Sequence, residues 1–545
     1  MKYQEISKVL GKLLFYFSII LLIPLLVGLY HEYILASYKP RSSFAFALTI
    51  LVSLLLSALL LFWGRKAKGV FYRKESVLIV ILTWILATCI GSLPFLFSKT
   101  FTNPIDGIFE TISGFTTTGA TVMCPKKYAA DQRTEIPYII SKKGRSFEDY
   151  KFYGTITPVR DASGKILHEG IEAVSETILF WRSFIQWLGG LGIVLLFLTI
   201  LPTLAVGGKF LLQAEMTGPI KESIAPRIKE TASILWKLYL SLTIIEVLCL
   251  IITNKKIDIL DALCITFSNL STGGFAIKNN SIAAYPSLWT QWIVILFMFI
   301  GSINFSLYFY CLKGKFYKIY DPDFFLFITI AIIGTILIII FLTGSRIYNV
   351  DGHAQGVYTL STALKDGAFH AISAQSSTGF IITDITKWPF ITQLIMIMLM
   401  YIGGMSGATC GGIKTPRFYI LYKIIKNKIE EIFKPSIIRP LKIKNKEISN
   451  STASTVLVFF CIVGFFAIAG FVLYVLDHID SETAISTVAC MLNNIGFAFG
   501  AASPDISFGF LGNFSKLLSG FLMLLGRLEY YIILILFIPS FWKTE

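Results

Sequence analysis

Long apolar runs without charged residues set the first limit on how this chain folds. Of its 545 residues, 55% are hydrophobic and only 15% are charged, against about 25% charged residues in soluble domains. A run of about 18 or more apolar residues is long enough to cross a bilayer as a helix. Ten crossings are predicted, the eighth of them interrupted and resuming at Ile413–Ile425: Leu13–Tyr30, Phe44–Trp63, Val77–Leu96, Ile178–Leu201, Ile234–Ile252, Trp289–Tyr310, Phe324–Leu342, Ile391–Ile402, Val456–Leu476 and Leu517–Phe541. The sequence therefore predicts an all-α polytopic membrane protein.

Basic residues lie in short segments between these runs, at 65–74, 313–318 and 423–446. Such loops face the cytoplasm, and an even number of crossings then places both termini there. The net charge is +15, but no contiguous basic domain supports nucleic-acid binding.

Residue patterns that carry catalysis or metal binding are missing from the sequence. There is no CxxC pair, Walker A, GxSxG, HExxH or GxGxxG motif, and the five histidines are scattered. A disulfide framework, a zinc site and an enzymatic function are therefore not supported. His370 is interpreted as a hydrogen-bonded packing residue.

Four segments too short to span a bilayer lie between the long runs, and each ends at a glycine with a polar stretch behind it. They are Ile105–Thr118, Ile259–Thr272, Thr362–Ser377 and Ser481–Asn494, followed by Gly119, Gly274, Gly379 and Gly496. A serine, or a cysteine in the fourth, precedes each glycine by six positions. A further glycine recurs in each following helix, at Gly190, Gly301, Gly403 and Gly526. An internal repeat of this kind defines the architecture.

The repeat divides the chain into a two-helix prefix and four units of helix, short re-entrant helix, polar loop and helix. The predicted boundaries are 1–70 for the prefix, then 71–206, 207–318, 319–448 and 449–545. The first unit holds a polar outer insertion at 124–175.

Non-helical backbone at membrane depth is tolerated only where it is buried in protein or lines a cavity. Four glycine loops that converge on one axis can present backbone carbonyls to a cation. The predicted ion-binding filter is Thr117, Thr118, Gly119, Thr272, Gly273, Gly274, Ser377, Thr378, Gly379, Asn494, Ile495 and Gly496. Asp106, Asp261 and Asp366 lie near the starts of the short helices, and capping is favoured over ion binding for them.

A glycine-rich break interrupts the third post-filter helix at 403–412, on the cytoplasmic side of the filter. We interpret it as a flexible gate rather than a packing kink. The gate residues are Gly403, Gly404, Gly407, Cys410, Gly411, Gly412, Lys414 and Arg527. Arg527, a charge inside an apolar helix, either controls cation passage, locks the loop, or forms a structural ion pair with Glu529 or another repeat.

Several stretches together resemble the TrkH type within the Trk/Ktr/HKT superfamily of potassium transporters. The resemblance covers nearly the whole chain except the insertion. It rests on SGFTTTGAT (113–121), WRSFIQWLGGLGI (181–193), STGGFAIKNNSI (271–282), SSTGF (376–380), GGMSGATCGGIKTPR (403–417), NNIGFAFG (493–500) and GRLEYYIILILFIPSFW (526–542).

The resemblance implies one K⁺ path per subunit, with Rb⁺ passing and Na⁺ disfavoured, because glycine at all four filter positions accompanies K⁺ preference in this family. It implies a homodimer in the lipid of a bacterial cytoplasmic (inner) membrane, and a cytosolic ring of TrkA-like, RCK-type nucleotide-binding regulatory subunits. It also implies a gate at 403–412 and an Arg527 barrier under the filter. No organic cofactor is expected in this chain.

Two residues depart from the family pattern. Phe497 stands where proline is usual, and Cys410 interrupts the glycine-rich gate. Na⁺ or mixed transport on the same fold stays an alternative, as does a membrane enzyme or scaffold. Channel-like flow and H⁺- or Na⁺-coupled symport are both open, and the insertion could cap the pore mouth, bind a partner or have no role.

Overall fold

A computed structural model describes residues 1–35, 39–68, 72–129, 134–140, 150–192, 228–434, 442–443, 446–502 and 506–543. The predicted unit boundaries at 70/71 and 206/207, and the end of the predicted run Ile178–Leu201, lie outside these residues. The helices are α1 Tyr3–Ile20, α2 Leu22–Leu29, α3 Ser43–Trp63, α4 Arg73–Phe97, α5 Pro104–Phe115, α6 Glu176–Gly190, α7 Ile228–Thr253, α8 Ile259–Leu270, α9 Leu288–Gly301, α10 Phe305–Leu312, α11 Pro322–Leu342, α12 Leu360–Gln375, α13 Phe390–Tyr401, α14 Thr415–Phe433, α15 Asn450–Leu476, α16 Ser481–Asn493, α17 Asn513–Arg527, α18 Tyr531–Leu534 and α19 Pro539–Trp542.

Six helices among the described residues are long and apolar enough to cross a membrane, or up to eight if each of two bent pairs forms one span. The six are Tyr3–Ile34, Ser43–Trp63, Arg73–Phe97, Glu230–Thr253, Pro322–Leu342 and Ser451–Leu476. The chain is therefore a helical integral membrane protein, while the full set of ten crossings stays a prediction.

Two runs predicted as continuous spans, Trp289–Tyr310 and Leu517–Phe541, are broken. The axes of α9 and α10 differ by 95°, and those of α17 and the α18 segment differ by 112°. The first break follows from Asn304, whose side chain caps the start of α10 in its new direction. The second passes through Glu529 and Tyr530, both in the left-handed region with φ of 57° and 56°.

The four short helices α5, α8, α12 and α16 are present as predicted, and three of them begin at a side-chain cap. Asn103, Thr359 and Asp480 each accept a hydrogen bond from a backbone N–H in the first turn. Asp258 is the cap residue of α8, without such a bond. The caps of α5, α12 and α16 each satisfy a donor that the helix itself leaves unpaired.

Asp106 and Asp261 lie in the first turns of α5 and α8, where a carboxylate favours the helix N-terminus, but the cap residues themselves are Asn103, Asp258 and, for α12, Thr359. Asp106 accepts a hydrogen bond from Lys516 Nζ of α17 at 2.6 Å, and Asp261 accepts one from the Tyr285 hydroxyl at 2.8 Å. Asp366 lies past the first turn of α12 and pairs with Lys365. Because another residue precedes each helix as its cap, Asp106 and Asp261 can join neighbouring elements, while Asp366 pairs within its own helix.

The strands form two-stranded antiparallel ribbons in the connections between helices. They are β1 Lys127–Tyr128, β2 Glu135–Ile136, β3 Tyr138–Ile140, β4 Tyr150–Phe152, β5 Val159–Arg160, β6 Ile166–His168, β7 Arg346–Tyr348, β8 Ala354–Val357, β9 Lys442–Ile443 and β10 Lys446–Glu447. The pairs are β1–β2, β3–β4, β5–β6, β7–β8 and β9–β10, and β3 meets β4 with Tyr138 opposite Phe152. The first six strands belong to the insertion between α5 and α6.

An aromatic cluster centred on Trp181 of α6 joins the prefix to the first repeat. Phe17, Phe46 and Phe115 lie with ring centroids 6.3, 5.8 and 6.5 Å from Trp181. The buried Trp181 indole donates to the Gly91 carbonyl at 3.0 Å. Packing and hydrogen bonding both fix α6, which carries side chains that reach the candidate site.

Replacing Lys516 by Met should destabilise the protein by about 3–5 kcal/mol, because Asp106 would stay buried without a cation. Both side chains are nearly inaccessible, at 7% and 8% exposure. The double variant Asp106→Asn, Lys516→Met should recover most of the loss. Thermal unfolding of the detergent-solubilised protein measures both, and a single variant as stable as the parent would contradict the expectation.

Candidate cation pathway

The four polar loops share one backbone conformation. The residue two positions before each glycine is left-handed although it carries a side chain, and the glycine is left-handed as well. The φ angles are 54°, 54°, 55° and 54° at Thr117, Thr272, Ser377 and Asn494, and 78°, 78°, 83° and 105° at Gly119, Gly274, Gly379 and Gly496. A non-glycine residue adopts such an angle only where its surroundings enforce it. The repeat read from the sequence is therefore also a repeat of backbone geometry.

The serine or cysteine six positions before each glycine holds the loop to its short helix. Its carbonyl accepts the N–H of the residue just before the glycine. These bonds run from Thr118 to Ser113, Gly273 to Ser268, Thr378 to Ser373 and Ile495 to Cys490, at 2.8, 2.7, 3.0 and 3.1 Å. The N–H groups are thus turned toward the short helices, as a cation site built from carbonyl oxygens requires.

The four loops close into a ring in which each filter glycine abuts the backbone of the next loop. A Cβ added to any of them would come within 3.0 Å of a carbonyl oxygen. The carbonyls met are those of Gly273 for Gly119, Thr378 for Gly274, Ile495 for Gly379 and Thr118 for Gly496. All four glycines also line one cavity of about 90 Å³. The structure therefore brings the four predicted loops together in cyclic order.

A buried ion pair supports the first two loops from behind. Arg182 of α6 and Glu110 of α5 are 1% and 0% exposed, and their charged groups are 2.8 Å apart. Glu110 accepts hydrogen bonds from the Thr121 hydroxyl and the Val122 N–H, just past the first glycine. Arg182 donates to the Ala276 carbonyl, just past the second, at 2.9 Å. Sequence reasoning missed this pair, although Arg182 is a charge within an apolar run, the signal that singled out Arg527.

Gln186, one turn further along α6, brackets the second loop. Its Nε2 donates to the Gly273 carbonyl at 2.8 Å, and its Oε1 accepts the Phe275 N–H at 3.0 Å. The glycine at 273 is required here, because a Cβ would meet the Gln186 amide. Gln186 lies within the motif at 181–193, but the sequence alone does not reveal its role.

The fourth loop reaches the same conformation with different side chains. Asn494 Nδ2 donates to the Thr118 hydroxyl at 2.9 Å and to the Met523 carbonyl at 3.0 Å. Cys490 Sγ accepts the Gly496 N–H at 3.2 Å. Phe497, the residue that departs from the family pattern, is 8% exposed and lines the cavity of the four glycines.

The predicted break at 403–412 is present as a non-helical loop between α13 and α14. Its two ends meet in a bridge, with the Gly403 N–H donating to the Ile413 carbonyl at 3.1 Å. Gly407 and Gly412 have φ of 78° and 72°. The two ends of the loop therefore lie side by side, and residues 404–412 form one closed loop between them.

The loop is held under the filter through Thr409 and Gly411. The Thr409 hydroxyl lies 3.0 Å from the carbonyl oxygens of both Leu270 and Gly301, and its N–H donates to Gly301 at 3.2 Å. The Gly411 N–H donates to the hydroxyl of Ser377, a filter residue, at 2.6 Å. Thr409 was not among the predicted gate residues, because its role depends on carbonyls that the sequence cannot place.

Cys410 and Lys414 pack inside the loop's base. The Lys414 ammonium lies 3.3 Å from Cys410 Sγ and donates to the Cys410 carbonyl. The sulfur also fills the space where a Cβ on Gly404 would project. Cys410 thus adds a buried side chain to the base of the loop, beside the lysine that ends it.

Arg527 joins this loop to the first repeat. Its guanidinium donates to the Thr409 carbonyl at 2.7 Å and to the Gly190 carbonyl at 2.9 Å, and it lies 3.4 Å from the Thr117 hydroxyl. Glu529 forms an ion pair with Arg417 at 2.7 Å. The sequence left three roles open for Arg527. One of them, locking the loop, requires a contact with the loop, and the bond to the Thr409 carbonyl is such a contact.

Glycines in the post-filter helices allow those helices to approach the ends of the short helices. A Cβ on Gly189, Gly301 or Gly526 would come within 3.0 Å of a carbonyl oxygen four positions before the filter glycine. The predicted first member, Gly190, is therefore corrected to Gly189, which faces the Phe115 carbonyl. The sequence offered two adjacent glycines, and only packing selects between them.

The described part of the insertion lies at the mouth of the filter. The Ile171 N–H donates to Asn279 Oδ1 at 2.8 Å, and Asn279 Nδ2 donates to the Glu169 carbonyl at 3.0 Å. Ile171 also lines the cavity of the four glycines. It and Asn279 border a second cavity of about 820 Å³, whose walls include the strand residues Lys127 and Tyr138.

Within the described ranges, no group of three or more His, Cys, Asp or Glu side chains could hold a metal ion. His370 is buried, with Nδ1 2.8 Å from the Asp366 carbonyl and Nε2 accepting from the Ile382 N–H. This confirms its prediction as a packing residue.

The helices and the fourfold ring define a membrane protein built from repeated helix, short helix, loop and helix units. The chain belongs to the TrkH family of cation transport proteins, whose profile matches residues 160–544. This confirms the resemblance found in the sequence.

Known relatives match along their full length. The potassium uptake protein TrkH of Escherichia coli strain K12 is 29% identical, and TrkH of Halomonas elongata is 30% identical, each with 100% of both chains covered. The crystal structure of the potassium transporter TrkH from Vibrio parahaemolyticus superposes with a TM-score of 0.78 at 27% identity, again over 100% of both chains.

Replacing Asn279 by Ala should release residues 169–172 from the filter mouth. Hydrogen exchange there should rise by roughly tenfold, because two hydrogen bonds worth about 1 kcal/mol each are lost. Exchange mass spectrometry measures this. Asn280→Ala, which removes only an exposed contact with Asp351, is the matched control, and equal exchange in both variants would refute the anchoring role.

Proposed function

We propose that this chain is a K⁺-selective membrane uptake pathway that passes K⁺ and Rb⁺ through the ring of Gly119, Gly274, Gly379 and Gly496. The closed ring, in which every glycine abuts the carbonyl of the next loop, is the observation that carries the proposal. Backbone carbonyls replace the hydration shell of a cation of suitable size. The printed names of the relatives, potassium uptake proteins and a potassium transporter, support K⁺ as the cation.

The loop 403–412 is proposed as the gate of this pathway. It is bonded to the second repeat by Thr409, to the third filter loop by Gly411, and to Arg527 of the fourth repeat. A segment attached to several repeats directly beneath the ring obstructs ion flow until those bonds are exchanged. Arg527 adds a positive charge on the same path, which opposes cation passage while the loop is in place.

The proposed setting is a bacterial cytoplasmic membrane, with both termini inside the cell and a homodimer as the functional unit. Cytosolic nucleotide-binding subunits of the TrkA-like, RCK type are proposed to act on the gate. The loop leads directly into α14, an amphipathic helix with the exposed lysines Lys426 and Lys428. A partner that pulls on α14 would act on 403–412 without an intervening element.

The direct test is ⁸⁶Rb⁺ uptake into proteoliposomes that contain this chain alone. Uptake that K⁺ inhibits and Na⁺ does not would support the proposal. Equal inhibition by both ions would favour the Na⁺ or mixed alternative and direct attention to Phe497. If the vesicles take up no ⁸⁶Rb⁺, the assay is repeated with the gate variants described below. Uptake by those variants distinguishes a closed gate from an absent pathway.

Gly119→Ser should reduce the preference for K⁺ over Na⁺ by roughly tenfold or more. A Cβ at position 119 displaces the Gly273 carbonyl and so changes the distance between its oxygen and the ion. Competition in the ⁸⁶Rb⁺ assay measures the ratio. Gly464→Ser is the matched control, since a Cβ on Gly464 would meet nothing within 4 Å. Unchanged selectivity in Gly119→Ser would refute the filter assignment.

Thr409→Val should raise basal ⁸⁶Rb⁺ flux several-fold, because the loop loses a hydroxyl bond of about 1 kcal/mol to the ends of α8 and α9. Deleting 405–410 should raise it further. Thr455→Val is the control, since that exposed hydroxyl bonds only within its own helix, to the Ser451 carbonyl. If flux is unchanged in both the point variant and the deletion, the loop is a kink and not a gate.

A further inference from the structure

A carboxyl group is buried at membrane depth beside the second short helix, outside the ring and the gate. Glu246 lies in α7 and is 0% exposed. Its Oε1 accepts a hydrogen bond from Asn269 Nδ2 of α8 at 2.6 Å. Its Oε2 is buried without a hydrogen-bond partner among the described residues.

Among the residues that the structure describes, the Asn269 side chain is paired through its nitrogen only. Its Nδ2 donates both to Glu246 and to the Val294 carbonyl of α9, at 2.6 and 3.1 Å. These two bonds use both amide hydrogens and fix which atom is nitrogen. The Asn269 Oδ1 is buried and receives no donor from the part of the chain the structure describes.

The charged and titratable side chains on the helices around Glu246 bond to other groups or are exposed. Tyr239 of α7 donates to the Trp187 carbonyl of α6, and Asp261 of α8 accepts from Tyr285. Arg527 donates to the Thr409 and Gly190 carbonyls. Lys237 of α7 is exposed. Within the described ranges, no ion pair with Glu246 exists at 4.0 Å or less.

We propose that Glu246 is an uncharged carboxylic acid that donates its proton to Asn269 Oδ1. The two side chains then form a reciprocal acid–amide pair, with both unpartnered oxygens satisfied by one hydrogen. An ionised carboxylate buried at this depth without a cation is costly, and it leaves Asn269 Oδ1 unsatisfied. Protonation removes both costs together.

The pair makes Glu246 a positioning residue for the second filter loop, an inference that rests on the proposed function. Asn269 is the penultimate residue of α8, and its carbonyl accepts the N–H of Thr272, a predicted filter residue, at 2.8 Å. The acid–amide pair clamps α8 against α7 three residues before that filter position. It also holds the proton in place, so Glu246 does not act as a proton carrier for coupled transport.

Infrared spectroscopy of the purified protein tests the protonation directly. The C=O stretching band of a protonated carboxyl should be present at neutral pH and should be lost in Glu246→Gln. The band should have the same intensity at about pH 6 and about pH 8, because the buried acid keeps its proton on both sides of neutrality. Asn269→Leu should shift the band, because the acid loses its partner. A parent protein without the band would overturn the proposal, whatever its transport activity.

Uptake of ⁸⁶Rb⁺ then separates positioning from proton transfer. Glu246→Gln should keep both flux and the K⁺ over Na⁺ ratio, because an amide supplies the same acceptor and the same donor. Glu246→Leu should lower the flux or the ratio by roughly tenfold, the equivalent of one unsatisfied buried group. If size-exclusion chromatography shows that Glu246→Leu does not fold, Glu246→Gln still tests the positioning role. Loss of uptake in Glu246→Gln would overturn the positioning role in favour of a proton carrier.

Discussion

The close approach of four glycines to four carbonyl oxygens is the constraint on which the rest of this molecule depends. No side chain fits between one loop and the next, since a Cβ at any of the four glycines would come within 3.0 Å of a carbonyl oxygen. Backbone brought this close in a membrane must have every N–H group paired. The short helices meet that need through the carbonyls of Ser113, Ser268, Ser373 and Cys490. The repeat is therefore a solution to a hydrogen-bonding problem.

The four units support the ring in different ways. The first two loops rest on the Arg182–Glu110 ion pair, and the second rests also on Gln186 and, through Asn269, on α7. The fourth uses Asn494 and the thiol of Cys490. Because all four units lie in one chain, each support can differ while the backbone conformation stays the same.

The sequence was sufficient where the signal was local and repeated. The short helices, the filter glycines and the break at 403–412 all follow from spacing and glycine content. It failed where the outcome depends on which groups meet across repeats. The sequence predicts the three aspartates as caps, yet Asp106 binds Lys516, 410 positions away. Glu110, Thr409, Glu246 and Asn269 were missed, because each is defined by a carbonyl, an amide or an arginine from another element. The bends after Gly301 and Arg527 were missed because the apolar runs continue through them.

The attachment of the loop 403–412, proposed here as the gate, has a consequence for the thermodynamics of its opening. The Thr409 hydroxyl of this loop lies within hydrogen-bond distance of carbonyl oxygens at the ends of α8 and α9. Those oxygens have no intrahelical donor, so moving the loop away exposes acceptors that water can immediately solvate. The open state is thus compensated by hydration of the vacated carbonyls, and the work of opening is the difference between two sets of hydrogen bonds.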